Sequence, residues 1–331
     1  MERSFYPNKG YTSVDPRPET DFDPVMVKAY QAIRNHQSTT ANPVVIESHA
    51  GAGFSEDELI YLETQLKSVV EKWSDHFAPN SKVLATFVTE KDTSVMMVEN
   101  TSNYDDLMDV AKLYNDKSKS GWLNCGWKNG ISGAHTIWQG PNAGSIGFAI
   151  VFPSAHNGTY WLPKNLPHEL THGLQDLIWF KNGYPQNAHQ TMYNLIEGGA
   201  ELFGDAQAYP NIGWYSDEVK RFIVESYLGN PANHSIPKNN SDVLEMLSKS
   251  EHNDGEAGTI WAYTVGLHLW EYMIANYGLN SYWDLVKNVQ TEKTFDGAIK
   301  KTIGISKSEL YANAAPYILK QFKNALAAYG K

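Results

Sequence analysis

Residues 166–180 read LPHELTHGLQDLIWF, and the parsing of the whole chain hangs on them. Pro167 suits a first helical turn, where its missing N–H is not needed. The face away from the charged residues is apolar, so the pattern predicts a helix over Pro167 to Phe180. His168 and His172 stand four apart, so on that helix they share a face and can offer two ring nitrogens to one ion. Glu169 lies beside them. The H-E-x-x-H spacing therefore predicts a catalytic zinc site, with Glu169 as the base that takes a proton from an attacking water.

Upstream of this helix the chain reads mostly as strands. PVVIES, KVLATFVTE, SVMMVE, AHTIWQ and SIGFAIVF are short β-branched or apolar runs. A helix after Ser55 and Glu58, an S-x-x-E capping box, carries Leu59, Leu62, Leu66, Val69, Val70 and Trp73 at helical spacing. A second is expected over Tyr104 to Tyr114. Downstream the patterns are helical: Met192 to Ala208, Thr259 to Tyr277, and a pair either side of Ile305.

The expectation is an α+β fold. Residues 1–42 form an arm and one helix (Val25 to Arg34), and 43–185 an N-terminal lobe with a mixed twisted sheet, ending in the HExxH helix. Residues 186–331 form a mainly helical C-terminal lobe carrying the third zinc ligand, with zinc in the cleft between the lobes. The join falls in the turn-rich NGYPQNAHQ, 182–190.

Composition narrows the function. A net charge of -10 with scattered Lys and Arg argues against nucleic acid and anionic membrane surfaces as partners. No apolar run approaches the roughly 20 residues of a membrane span. Cys125 is the single cysteine, which excludes intrachain disulfides and four-cysteine zinc sites. A metal must be held by histidines and carboxylates. The start of the chain lacks the basic and apolar regions of a secretory signal. The compartment stays open, with a secreted or cell-envelope protein whose leader has been removed as the reading kept. The oligomeric state has no signal in the sequence.

The third ligand fixes the subclass. A metzincin would need Gly at 175 and His at 178, where this chain has Gln175 and Ile178. NLIEGGAELFGD, 194–205, offers Glu197 and Glu201 on one face of a second helix. Glu197 is taken as the ligand, since Gly198 and Gly199 would let its helix approach the zinc helix closely. Glu201, one turn on, would accept the second ring N–H of a ligand histidine and orient it. His189, in the turn-rich stretch, is the rival ligand. The Asn/Asp-rich KNNSD, 238–242, offers oxygen donors to calcium but matches no twelve-residue calcium loop.

H-E-L-T-H followed by E-G-G-A-E resembles the gluzincin metallopeptidases, the superfamily of thermolysin, the zinc aminopeptidases and the bacterial collagenases. The resemblance covers about residues 145 to 290. It implies that Glu197 is the third zinc ligand. Tyr263-Thr-Val-Gly266 is similar to the Y-x-x-G helix of the aminopeptidase and collagenase branches, which makes Tyr263 the donor to the developing oxyanion. The chain departs from the aminopeptidases in two ways. Its strand Gly144-Ser-Ile-Gly-Phe-Ala-Ile-Val lacks the acid that holds a free amine, which points to endopeptidase action. The longer spacing from His172 to Glu197 implies an extra loop over Lys181 to Gln190.

SIGFAIVF is expected at the sheet edge above the cleft, holding an extended protein or peptide substrate by backbone hydrogen bonds. The runner-up is a catalytically silent peptidase-fold protein, an envelope or virion component with a structural zinc. Zinc-dependent hydrolysis of a non-peptide substrate is the third reading.

Overall fold

The computed structural model describes residues 17–39, 44–50, 56–77, 81–89, 131–136, 144–152, 164–180, 183, 185, 191–228, 236–253 and 255–330. In chain order the elements are α1 (Pro24–Arg34), β1 (Val45–Ala50), α2 (Glu56–Lys72), β2 (Lys82–Thr89), β3 (Ile131–Thr136), β4 (Ile146–Phe152) and α3 (Asn165–Phe180). A single π-helical turn (Asn194–Gly198) then leads into α4 (Gly199–Ala208), followed by α5 (Ile212–Leu228), α6 (Asn240–Lys249), α7 (Gly255–Tyr277), α8 (Asn280–Asn288), α9 (Phe295–Ile303) and α10 (Lys307–Ala328). The class is α+β, and the chain divides into two compact units.

The first unit spans Gln37–Phe180. Its sheet has the order β1-β2-β4-β3. β1, β2 and β4 are parallel, with Val45 opposite Lys82 and Val83 opposite Ile146, while β3 runs antiparallel to β4 with Ile131 opposite Val151. Val83, Leu84, Ala85 and Phe87 of β2 are all buried, the near-continuous apolar run of a strand covered on both faces. α2 buries Leu62, Leu66, Val69 and Val70, a single stripe at helical spacing, and Trp73 just beyond its end is buried with them. α3 crosses the sheet at Gly173: a Cβ there would stand 2.6 Å from Ile146 Cγ2. Thr136 Oγ1 donates to the Gly173 carbonyl at 3.2 Å.

One expectation is corrected here. SIGFAIVF is not an edge, because β4 is hydrogen-bonded by β2 on one side and β3 on the other. Among the described strands β1 and β3 are outermost. An apolar run marks a buried strand but carries no information about its neighbours, which is why the sequence misplaced it. The expected strand SVMMVE, the helix over Tyr104 to Tyr114, the capping residue Ser55 and Cys125 lie outside the described residues.

The second unit spans Thr12–His36 and Lys181–Lys331. Thus α1, which the sequence groups with residues 1–42, belongs with the C-terminal helices: Tyr30 OH donates to the Tyr209 carbonyl at 2.9 Å and Arg34 Nη1 to that of Gln207 at 2.6 Å. α7 is apolar all round, with Val265, Leu269, Trp270 and Met273 buried, the pattern of a helix enclosed by others. Its buried acid Glu271 accepts from Tyr215 OH of α5 at 2.5 Å and Tyr317 OH of α10 at 2.6 Å, and pairs with His268 Nδ1 at 2.5 Å. Burial first, and then the nearby Glu271 charge, pushes both tyrosines well above the ordinary phenol pKa, so they remain donors.

Helix ends in this unit are capped locally. Thr294 caps α9 and Ser306 with Glu309 forms a capping box on α10. KNNSD is explained the same way: the Asn239 side chain accepts from Asp242 N at the start of α6. Among the described residues no helix is long and apolar enough to cross a membrane.

Candidate metal centre

α3 positions the two histidines by regular helical geometry. Leu166, Leu170 and Leu174 are buried at 0% exposure and Leu177 is buried too, which fixes the helix's rotation about its axis. His168 and His172 then lie on one side, their rings edge to face with centroids 4.9 Å apart. Their Nε2 atoms approach to 3.2 Å. His168 is buried, while Glu169 and His172 are half-buried.

Gln175 stands beside the outer ring nitrogen of His172. His172 Nδ1 lies 3.0 Å from Gln175 Oε1. An amide oxygen in that position accepts from the Nδ1–H tautomer of the ring, the tautomer whose Nε2 offers a lone pair to a metal. This is the arrangement by which a metal-ligating histidine is oriented through its other nitrogen. Sequence reasoning assigned that orienting role to Glu201 and used Gln175 only to exclude a metzincin. The available signal was the i, i+3 spacing of His172 and Gln175, which puts them on one face.

Glu197 reaches its place differently, from a π-helical turn at the start of the second helix. Widening a turn to i→i+5 pairing breaks the regular carbonyl ladder. Two distant side chains take carbonyls of this turn: Trp270 Nε1 of α7 donates to Asn194 O at 2.8 Å, and Tyr282 OH of α8 donates to Leu195 O at 3.0 Å. The Asn194 side chain donates to Ser250 Oγ at 3.0 Å and to Tyr311 OH at 3.2 Å.

The two glycines after Glu197 serve α7 and α8. A Cβ on Gly198 would lie 2.6 Å from the Ala262 carbonyl oxygen, with Gly266 as close, and one on Gly199 would overlap the Tyr282 hydroxyl. The sequence expectation was an approach to the zinc helix, and the close contacts that these glycines make within this unit are to α7 and α8. Gly266 of the Tyr263-x-x-Gly266 pattern is the other half of that crossing, its own Cβ position 3.2 Å from Gly198 Cα.

One ligand atom each of His168, His172 and Glu197 lie within 4.8 Å of one another, a set that could hold a metal ion. Among the described residues it is the one such group of three. Two imidazoles and a carboxylate are the donor types of a three-ligand zinc site that keeps a position for water. Glu169 follows His168 directly on α3. Glu201, one turn past Glu197, is 2% exposed, and Asp205, a further turn on, is fully buried. The E-x3-E-x3-D spacing was visible in the sequence, but Asp205 was not singled out. Tyr263 is half-buried on α7, one turn before Gly266. His189, the rival ligand, and most of the expected loop over Lys181 to Gln190 lie outside the described residues.

No protein-family model, curated protein or solved structure matches the chain. The guide to the chemistry is therefore the site's own residues.

Proposed function

We propose that this chain is a zinc-dependent metallopeptidase of the gluzincin type, cleaving peptide bonds within a protein or peptide chain. The observation that carries the reading is that one ligand atom each of His168, His172 and Glu197 lie within 4.8 Å of one another, with Gln175 Oε1 3.0 Å from His172 Nδ1. His168 and His172 would bind through nitrogen and Glu197 through carboxylate oxygen, a borderline donor set that suits zinc. A zinc ion held there supplies a Lewis acid for the scissile carbonyl and lowers the pKa of water.

The chain's own residues do the rest. Glu169 takes the proton from the attacking water and returns it to the leaving amine. Tyr263, a neutral hydroxyl, donates to the oxyanion that forms on the former carbonyl. Gln175 keeps the His172 lone pair aimed, and Glu201 serves the second histidine in the same way. An extended substrate would add to an outer strand, and β3 takes that role from β4.

The test combines metal content with cleavage of a denatured protein, with and without chelator. One zinc per chain in the wild type, lost in His168→Ala and Glu197→Ala, together with chelator-sensitive cleavage, is the expected result. Zinc at one per chain without cleavage of any protein would establish the silent or non-peptide readings instead. Full cleavage by a chelated, metal-free chain would end the metal reading.

A further inference from the structure

We propose that Tyr282 and Trp270 are positioning residues for Glu197, acting by holding the π-helical turn from which that carboxylate projects. The inference rests on the metal reading of His168, His172 and Glu197, but its support lies wholly within the second unit.

A helix residue advances about 100° around the axis, so a turn widened by one residue rotates the chain before it against the chain after it by about that angle. Whether Glu197 faces a partner on one side or its neighbour on another thus depends on whether the turn is π or α. Asn194 and Leu195 are both buried at 0% exposure, so water does not take their carbonyls. Trp270 Nε1 and Tyr282 OH do so, at Asn194 O and Leu195 O. These two donors come from α7 and α8, more than seventy residues away in sequence, and nothing in the local sequence requires them.

Three further contacts fix the same turn. Asn194, its first residue, is anchored by its side chain to Ser250 and Tyr311, and Tyr311 OH in turn donates to Glu251 Oε1 at 3.1 Å. Gly198, its last residue, is locked against Ala262 and Gly266 of α7. Beyond it, Phe203 of α4 packs tilted against Tyr282 and edge-on against Trp283, with centroids 4.9 Å and 5.0 Å away. Both flanks of the turn are therefore held, and the two carbonyl bonds select the π over the α pairing between them. Tyr282 contributes its ring to the packing and its hydroxyl to the turn, so Tyr282→Phe removes the second role while leaving the first.

The experiment measures zinc affinity by chelator competition, and the visible spectrum of the cobalt-substituted protein, for wild type, Tyr282→Phe and Trp270→Phe. Tyr215→Phe is the control: it removes an equally buried hydroxyl bond, to Glu271, without touching the turn. Tyr282→Phe is expected to weaken zinc about 10-fold and to alter the cobalt bands, as loss of an outer partner of a metal ligand does. Tyr215→Phe is expected to lower the melting temperature while leaving both unchanged. Should Tyr282→Phe prove unfolded, Trp270→Phe gives the same comparison. Wild-type affinity and spectrum in the turn variants would overturn the inference, as would an affinity loss in Tyr215→Phe that tracks its loss of stability. A wild type that binds no zinc would instead remove the metal reading itself, and this inference with it.

Discussion

The two ligand-bearing segments are built on opposite plans. α3 is a regular helix whose own sequence supplies the apolar stripe and, within the eight residues 168–175, both histidines, the proposed base Glu169 and Gln175 beside His172. The π-helical turn holds one proposed ligand, Glu197, and is contacted by Trp270, Tyr282, Ser250, Tyr311 and Gly266. Local order can be specified by spacing alone. Non-local order has to be held in place by residues far along the chain, and it is correspondingly easy to upset from a distance.

The largest effect expected from breaking this contrast is on chemistry, at Glu169. Glu169→Gln should leave the zinc content and melting temperature of the wild type and reduce peptide hydrolysis by ~10²–10⁴-fold, the usual worth of a general base. Hydrolysis at the wild-type rate would assign the proton transfer elsewhere. Next comes a pair of matched glycines. Gly198→Ala forces a methyl group into backbone of α7, which cannot rotate away, and should cost about 3 kcal/mol or more, read by denaturant unfolding. Gly173→Ala meets the Ile146 side chain rather than backbone, but that side chain is buried and β-branched, so the cost should be smaller yet still about 2 kcal/mol. Equal costs would mean that the two segments are equally tolerant.

A smaller effect sharpens the local side of the comparison. Gln175→Ala frees the His172 proton to change nitrogen and should weaken zinc ~10–100-fold with little loss of stability, measured by chelator competition. Smallest is Thr294→Ala, which removes the cap of α9 and should cost about 1 kcal/mol in unfolding while zinc affinity stays unchanged.

The same contrast explains what could be read in advance. The histidine helix, four of the five expected strands, and the helices over 192–208, 259–277 and either side of Ile305 were legible because period and capping are properties of contiguous residues, whereas α5, α6 and α8 were not marked out in advance. The π character of 194–198 was not, since its cause lies at Trp270 and Tyr282. Gly198 and Gly199 announced a close approach but not its partner. β4 looked like an edge because an apolar run says nothing of which strands flank it. The membership of α1 in the second unit rests on bonds from Tyr30 and Arg34 to backbone carbonyls near residue 208, a separation no local pattern encodes. Glu197 was singled out first by the glycines that follow it and then by a likeness to a family motif, and its grouping with the two histidines as a set that could hold a metal ion is what the fold adds.

The cluster around Glu271 has a consequence measured in time. Tyr215, Tyr317 and His268 tie α5, α7 and α10 to one carboxylate at 0% exposure. Opening any one of these helices strands a charge in the interior, so the three should open together. In hydrogen exchange the amides of residues 262–275 should be among the last in the second unit to take up deuterium, and should do so as a single kinetic class. The crossing partner of Glu197's turn would then be among the parts of its unit that yield last.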